Sequence, residues 1–397
     1  MRIAIDASPL LDAAPTGVGR VVREVIHELA RRELPHEIYA VAPDYPARLD
    51  LPRDAKTTIR SVALDTAGRR WRGRPAEEFV KDKGIQVFWS TVSAFPRGAA
   101  CSTVVTVHEC PWETPGAAGD EGTGFNHRLW ATLDAWFATR VVCPSQSTAD
   151  AFLNSHLRKS FKSKVVVVPW GLSLAFQSKR DPSDKGPTVL EKFKIRPDYP
   201  GFLIVAASRR VKNFDAALRA FKIVRDRYKI DCRLWMAGPT GEEQMRALGY
   251  ADGLGLRQYV TGLGFMPDAD LADLYRHSRA TLVLSRSEGF GFPVIESMAC
   301  GTPVIHSGMG SLAEVAGDAG IRVPLDDEET IAETMVQIHT DEARRTALAE
   351  KGFVQAAKYR WAATTDKLLQ IFEEVSGDLG GDGHGVHGAA HAPGAHH

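Results

Sequence analysis

The stretch Ser287 to Ile305, S-E-G-F-G-F-P-V-I-E-S-M-A-C-G-T-P-V-I, constrains the fold of this chain more than any other. Gly289 and Gly291 lack a Cβ, so the backbone can turn sharply there and bring its N–H groups close to a ligand. Pro293 suits the first position of a helix, where a missing N–H removes no bond, and Gly301 suits the position just past a helix end. The spacing therefore predicts a short apolar helix over Phe292 to Cys300, then a buried strand at Pro303-Val304-Ile305. Such a helix aims unsatisfied N–H groups and a partial positive charge at the turn, an arrangement that binds phosphate. Glu288 stands just before the turn and Glu296 inside the helix, so both carboxylates can line one cleft. Ionised carboxylates only accept hydrogen bonds, which fits hydroxyl groups better than phosphates. A turn-helix-strand unit with two solvated glutamates is the plainer reading of the Glu-x7-Glu spacing alone; the glycines, proline and helix stop weigh against it.

The rest of the chain alternates apolar strands with amphipathic helices, the pattern of parallel sheets covered on both faces. Strands are expected at Ile3 to Ile5, Ile38 to Val41, Val87 to Trp89, Thr103 to Val107, Val141-Val142 and Val165 to Val168. A second set follows at Phe202 to Ala206, Arg233 to Ala237, Tyr259-Val260, Ala280 to Leu284 and Val304-Ile305. The polar run S-K-R-D-P-S-D-K-G-P, residues 178–187, reads as a linker. The expected architecture is α/β: Rossmann-like domains at 1–177 and 188–360 facing across a cleft, a last amphipathic helix over 361–376, and a glycine- and histidine-rich tail over 377–397 that cannot bury a core. With 397 residues, 44% of them hydrophobic, the chain is large enough for two cores. Basic and acidic residues balance at 49 each, which gives no sign of nucleic-acid binding. The scattered cysteines Cys101, Cys110, Cys143, Cys232 and Cys300 form no C-x-x-C pair and read as reduced core residues of a cytoplasmic protein. No apolar run approaches a membrane span and the N-terminus opens directly on a strand, so no targeting segment is expected.

Three more segments lie where open α/β sheets bind ligands, at the carboxyl ends of strands. Thr16-Gly17-Val18-Gly19-Arg20 follows the first strand and opens a helix, although Val22 occupies the third glycine position of a dinucleotide fingerprint. His108-Glu109 ends the strand from Thr103; a histidine that merely caps a strand end is the plainer alternative. Ser208-Arg209-Arg210-Val211-Lys212-Asn213 is basic, and an Arg/Lys clamp can stabilise a leaving diphosphate without a metal.

With these motifs the chain resembles glycosyltransferase family 4, the retaining enzymes of the GT-B fold, over nearly its whole length. The resemblance implies a helix crossing back to the first domain and a donor held by Glu296, Gly289, Phe290, Gly291, Gly17, Gly19 and Arg210. It implies catalytic roles for His108, Glu288, Arg209 and Lys212. T-G-V-G-R is similar to the family's T-G-I-G-R loop, and Glu109 stands where the family commonly has aspartate. Relatives place an arginine directly before, or five residues before, the lysine of the Lys-Asn pair; here those positions hold Val211 and Ala207, so Arg209 is taken as the substitute. The implied donor is GDP-mannose or another nucleoside diphosphate sugar, with no metal, and the implied acceptor a glycan or a lipid-linked saccharide. Because the groups come from both halves, catalysis is expected to need domain closure, hinged at 178–187 and near Trp361.

Other features are set aside or left open. Asp268-Ala269-Asp270 looks like a metal-binding D-x-D but begins a helix, with Asp268 expected as its N-cap. His27 reads as structural, and Ser145 as the N-cap of a helix from Gln146. Arg69-Arg70-Trp71-Arg72-Gly73-Arg74 is either an anionic-membrane contact or a helix start with Trp71 packed inward. A non-catalytic sugar-nucleotide binder and a nicotinamide-dependent oxidoreductase are the alternative functions; the incomplete fingerprint disfavours the latter.

Overall fold

The computed structural model describes residues 1–12, 17–44, 49–64, 71–92, 96–113, 123–154, 156–177, 188–196, 199–206, 210–238 and 240–377. The linker at 178–187, Arg209, Arg69-Arg70 and the tail beyond 377 lie outside them, as does the side chain of Arg210.

The first sheet is wholly parallel, in the order β3-β2-β1-β4-β5-β6-β7. Its strands are β1 (Arg2–Asp6), β2 (Glu37–Ala42), β3 (Ile59–Ala63), β4 (Val87–Ser90), β5 (Ser102–Thr106), β6 (Arg140–Cys143) and β7 (Val165–Val167). Helices α1 (Gly17–Arg31), α2 (Arg74–Lys83), α3 (Thr123–Phe137), α4 (Gln146–Leu153), α5 (His156–Lys159) and α6 (Leu174–Gln177) accompany it. The second sheet runs β10-β9-β8-β11-β12-β13, from β8 (Gly201–Val205), β9 (Arg233–Ala237), β10 (Val260–Gly264), β11 (Ser278–Val283), β12 (Val304–His306) and β13 (Gly320–Arg322). With it go α7 (Val189–Lys192), α8 (Phe214–Asp226), α9 (Gly241–Gly253), α10 (Asp268–His277), α11 (Phe292–Ala299), α12 (Leu312–Ala316), α13 (Glu328–Thr340) and α14 (Glu342–Ala356).

The central strands are buried end to end, as in β4 and β5, because helices cover both faces of a parallel sheet. In each sheet the strand order reverses once, between β1 and β4 and between β8 and β11. Ligands of open α/β sheets bind outside such switch points, and the two lie in facing domains.

The last helix, α15 (Trp361–Gly377), returns to the first domain. Ser102 Oγ donates to the Val375 carbonyl at 2.7 Å, Arg32 reaches Asp366 at 2.5 Å, and Thr364 Oγ1 donates to the Pro169 carbonyl at 2.7 Å. At the crossover, a Cβ on Gly171 would overlap the Trp361 backbone, so this approach is open only to glycine. The Trp361 ring stacks on Trp170 at 6.5 Å. One apolar core consequently joins both domains, running from Trp89 and Phe372 to Tyr275 and Val294. All five cysteines are free, and burial pushes the Cys101, Cys110, Cys232 and Cys300 thiols up to about 12. Among the described residues no helix is long and apolar enough to cross a membrane.

Candidate active site

The turn before α11 takes the form its residues dictate. Gly291 adopts φ 87°, a left-handed conformation that side chains disfavour, with Pro293 in the first turn after it, and Gly301 follows the helix end at φ 77°. Gly289 packs against the opposite domain so closely that a Cβ there would overlap the His108 carbonyl oxygen. Its own carbonyl accepts from Ser145 Oγ at 2.8 Å and Thr148 Oγ1 at 2.9 Å. Ser145 is also the N-cap of α4, accepting from Thr148 N at 3.0 Å. The amides at the start of that helix, Gln146 N and Ser147 N, each donate at 2.9 Å to Glu314 of the second domain. The domains are thus joined by hydrogen bonds along the edge of the site.

Glu288 and Lys212 come together at the β8/β11 switch point. Lys212 Nζ lies 2.6 Å from Glu288 Oε1, and Ser285 Oγ donates to the same oxygen at 2.8 Å. Lys212 ends a one-turn 3-10 helix, Arg210–Lys212, after which Asn213 adopts φ 55°. Arg286 fixes this loop by donating its backbone N–H to the Val211 carbonyl at 2.7 Å. On the other side, Ser311 donates to the Glu288 carbonyl through N at 3.0 Å and Oγ at 3.1 Å. Gly310 packs against that backbone with φ 57°. The N-terminus of α11 opens beside this group. Phe290 turns inward, edge-on to Phe292 at 5.2 Å and Tyr359 at 5.6 Å, so the turn meets the site with its backbone.

Glu296 lies deeper, only 2% exposed. Arg20 Nη1 pairs with its Oε1, and Tyr275 OH donates to Oε2 at 3.0 Å. The same guanidinium holds Asp268 Oδ1 at 2.7 Å and lies 5.7 Å from the Phe176 and Phe292 ring centres. Burial pushes the Glu296 carboxyl above its usual range, with Arg20 pulling it down and Asp268 pushing it further up. Asp268 is not the expected N-cap: Pro267 holds that position, no side-chain cap bond forms, and the Asp268 carboxylate turns to Arg20. Among the described residues no group of three or more His, Cys, Asp or Glu side chains is arranged to hold a metal.

Gly17 begins α1 facing the Phe292 ring, and Gly19 is buried in its first turn. The starts of α1 and α11 therefore meet. His108 follows β5, its Nε2–H donating to the Thr91 carbonyl at 2.8 Å and its ring centre 5.8 Å from Trp170. Burial lowers its pKa to about 4, so the ring is neutral at ordinary pH, and the bond to a carbonyl leaves Nδ1 as the acceptor nitrogen. Glu109 is exposed. His27 is structural, bonded through Nε2 to the Leu49 carbonyl at 2.9 Å. Trp71 packs inward at 1% exposure, and Arg72 lies over its ring while pairing with Asp6 at 2.9 Å.

The sequence reading missed Tyr275, Glu314 and the Gly308 to Leu312 loop, and ranked Arg20 below its glycines. A signal existed for the loop: S-G-M-G-S directly follows β12 and puts glycines at the carboxyl end of a parallel strand.

Two family models match the chain, "Glycosyltransferase Family 4" over residues 15–176 and "Glycosyl transferases group 1" over residues 187–355. The O-antigen chain mannosyltransferase B of Escherichia coli is 30% identical over 200 residues, 49% of this chain and 50% of that protein. A D-inositol 3-phosphate glycosyltransferase of Catenulispora acidiphila is 33% identical over 190 residues, 45% of each chain. The chain thus spans about half the length of the curated relatives it matches. Among solved structures, sucrose-phosphate synthase from Thermosynechococcus elongatus superposes with a TM-score of 0.75 at 19% identity, covering 95% of this chain and 100% of that one. Anabaena Alr3699/HepE in complex with UDP and glucose gives 0.71 at 14%, covering 94% and 99%. The paired parallel sheets, the returning helix and both family matches lead to one conclusion: the chain belongs to the family 4 glycosyltransferases and has the GT-B fold.

Proposed function

We propose that this chain transfers a hexosyl unit, with mannose the leading candidate, from a nucleoside diphosphate sugar to a saccharide or lipid-linked acceptor, retaining anomeric configuration. The observation that carries this reading is the Lys212–Glu288 pair, 2.6 Å apart beside the α11 N-terminus at a topological switch point. In the proposed step the bond from the anomeric carbon to the diphosphate oxygen breaks and its electron pair stays on the diphosphate. The acceptor hydroxyl bonds from the same face, and its proton passes to the departing phosphate. Lys212, the helix end and the arginines Arg209 and Arg210 offset the charge that develops, without a metal. Glu288 holds sugar hydroxyls and Glu296 the ribose hydroxyls, while neutral His108 stands beside the donor sugar.

The named mannosyltransferase activity of the Escherichia coli relative supports mannose as the sugar. UDP and glucose in the Anabaena structure support UDP-glucose as the second reading. A non-catalytic sugar-nucleotide binder would keep the site without turnover. Hydrolysis and transfer measured over purified sugar nucleotides, with and without EDTA, test the proposal. GDP-mannose turnover that survives chelation is expected; loss in EDTA with recovery in Mg²⁺ or Mn²⁺ overturns metal independence, and absence of turnover with every donor favours the binder.

For the lipid-linked alternative, α3 offers the contact face in place of the inward-facing Trp71. Leu129, Trp130, Trp136 and Phe137 are exposed on it, and Arg97 lies over the rings of Trp130 and Phe137 at 5.0 and 5.6 Å. Aromatic rings with basic flanks suit an anionic lipid surface. Co-sedimentation with phosphatidylglycerol vesicles, abolished in W130A/W136A, is expected; equal binding by the variant would remove this surface from the account.

A further inference from the structure

Arg20 of the first domain crosses the domain boundary to pair with Glu296. Glu296 is buried and Arg20 half-buried, the arginine reaches from α1 to two acids on α10 and α11, and a tyrosine closes the remaining side of the carboxylate. We propose that Arg20 is a positioning residue that keeps Glu296 ionised and correctly turned for the nucleotide, so that donor affinity in one domain depends on a side chain of the other. The inference rests on the reading of Glu296 as the ribose acceptor.

A carboxylate at 2% exposure loses most of its hydration, and an uncompensated buried charge takes up a proton instead. The groups facing Glu296 are few. From α1 come Arg20 and, behind it, Arg23, 3.9 Å from Asp268. From α10 come Asp268 and Tyr275; Cys300 closes α11 near Asp273 and Arg276; Phe176 and Phe292 supply apolar walls. Arg20 is the cation in direct contact, and Asp268 is a like charge that works against ionisation. Each carboxylate oxygen has two lone pairs, so Oε1 and Oε2 can accept from a ribose diol while still bonded to Arg20 and Tyr275. A protonated carboxyl would lose that capacity on one oxygen and present a donor there.

The test uses GDP and UDP as probes, with their 2′,3′-dideoxy forms, titrated calorimetrically from pH 6 to 9. Wild type should bind with affinity that is flat across this range and prefer the ribose forms. R20Q removes the charge but keeps polar hydrogen-bonding capacity, and should bind roughly tenfold or more weakly at neutral pH, recovering as pH rises and Glu296 ionises. R20K should stay within about threefold of wild type and remain flat. R20Q/D268N, without the neighbouring like charge, should recover at a lower pH than R20Q and carries the test if the single variant does not fold. A flat, wild-type-like R20Q, or a double variant that recovers at the same pH as R20Q, overturns the positioning role. Wild type that binds ribose and dideoxy forms equally instead overturns the ribose reading on which the inference stands.

Discussion

At the mouth of α11, Glu288 is held by its own domain, with Lys212 and Ser285 on one oxygen and the Ser311 loop on its backbone. Inside the helix, Glu296 is buried, and its cation comes across the domain boundary from α1. The same side chain, repeated within one short motif, therefore meets two kinds of environment. The outer carboxylate and its lysine remain partly open to solvent, where a phosphate can share the lysine. The inner one has a charge state that depends on how the domains dock. On the proposed function, this difference divides the motif's work, with reaction at the turn and recognition in the helix.

The largest effect is expected at Gly289, the residue that lets the turn meet the opposite domain. G289A would drive a methyl into the His108 carbonyl and disturb the bonds from Ser145 and Thr148. Since misplacing reacting groups by about 1 Å can cost about 100-fold, transfer in steady-state assays should fall by more than roughly that factor. Next comes K212A, which leaves Glu288 without its cation: kcat should fall about 100-fold while nucleotide affinity changes less, and K212R should restore part of the rate. An affinity loss equal to the rate loss would place Lys212 in ground-state binding.

Smaller effects sharpen the docking side. E314A removes a carboxylate from the α4 N-terminus, an interaction worth about 0.3–1 kcal/mol, and should raise the donor KM about two- to fivefold without changing kcat. Smallest is the pH effect of His108. With its pKa near 4, pH–rate profiles should show no inflection near 6.5 that H108Q removes. Burial lowers His306 to about 4 as well. For both, the unfolded chain binds protons that the folded chain does not, so stability should be lost as pH falls from about 6.5 towards 4. Melting temperatures across that window check the sign, and a rise on acidification would contradict it.

How much of this was legible in the sequence differs by element. The central strands were, because burial on both faces makes them continuous apolar runs; β9 emerged at Arg233–Ala237, as its residues suggest. The edge strands β3 and β13 were not, because I-R-S-V-A is neither a continuous apolar run nor a period-2 alternation and G-I-R is too short to signal. In the site, Glu288 with Lys212 and the α11 turn could be read from local chemistry, since glycine, proline and charge at strand ends have local causes. Arg20 with Asp268 and Tyr275 could not, because the partners are separated by hundreds of positions and meet only when the domains dock. Asp268 shows the cost: read locally it was an N-cap, whereas a distant arginine determines where its carboxylate points.

The central claim is the division between the two glutamates, and titration of E288A and E296A with GDP, UDP and their sugars, alongside single-turnover transfer, tests it most directly. E296A should lose nucleotide affinity while the chemical step at saturating donor is largely retained, and E288A should bind nucleotide like wild type but transfer far more slowly. The reverse pattern, with affinity lost in E288A and the chemical step lost in E296A, would contradict the account.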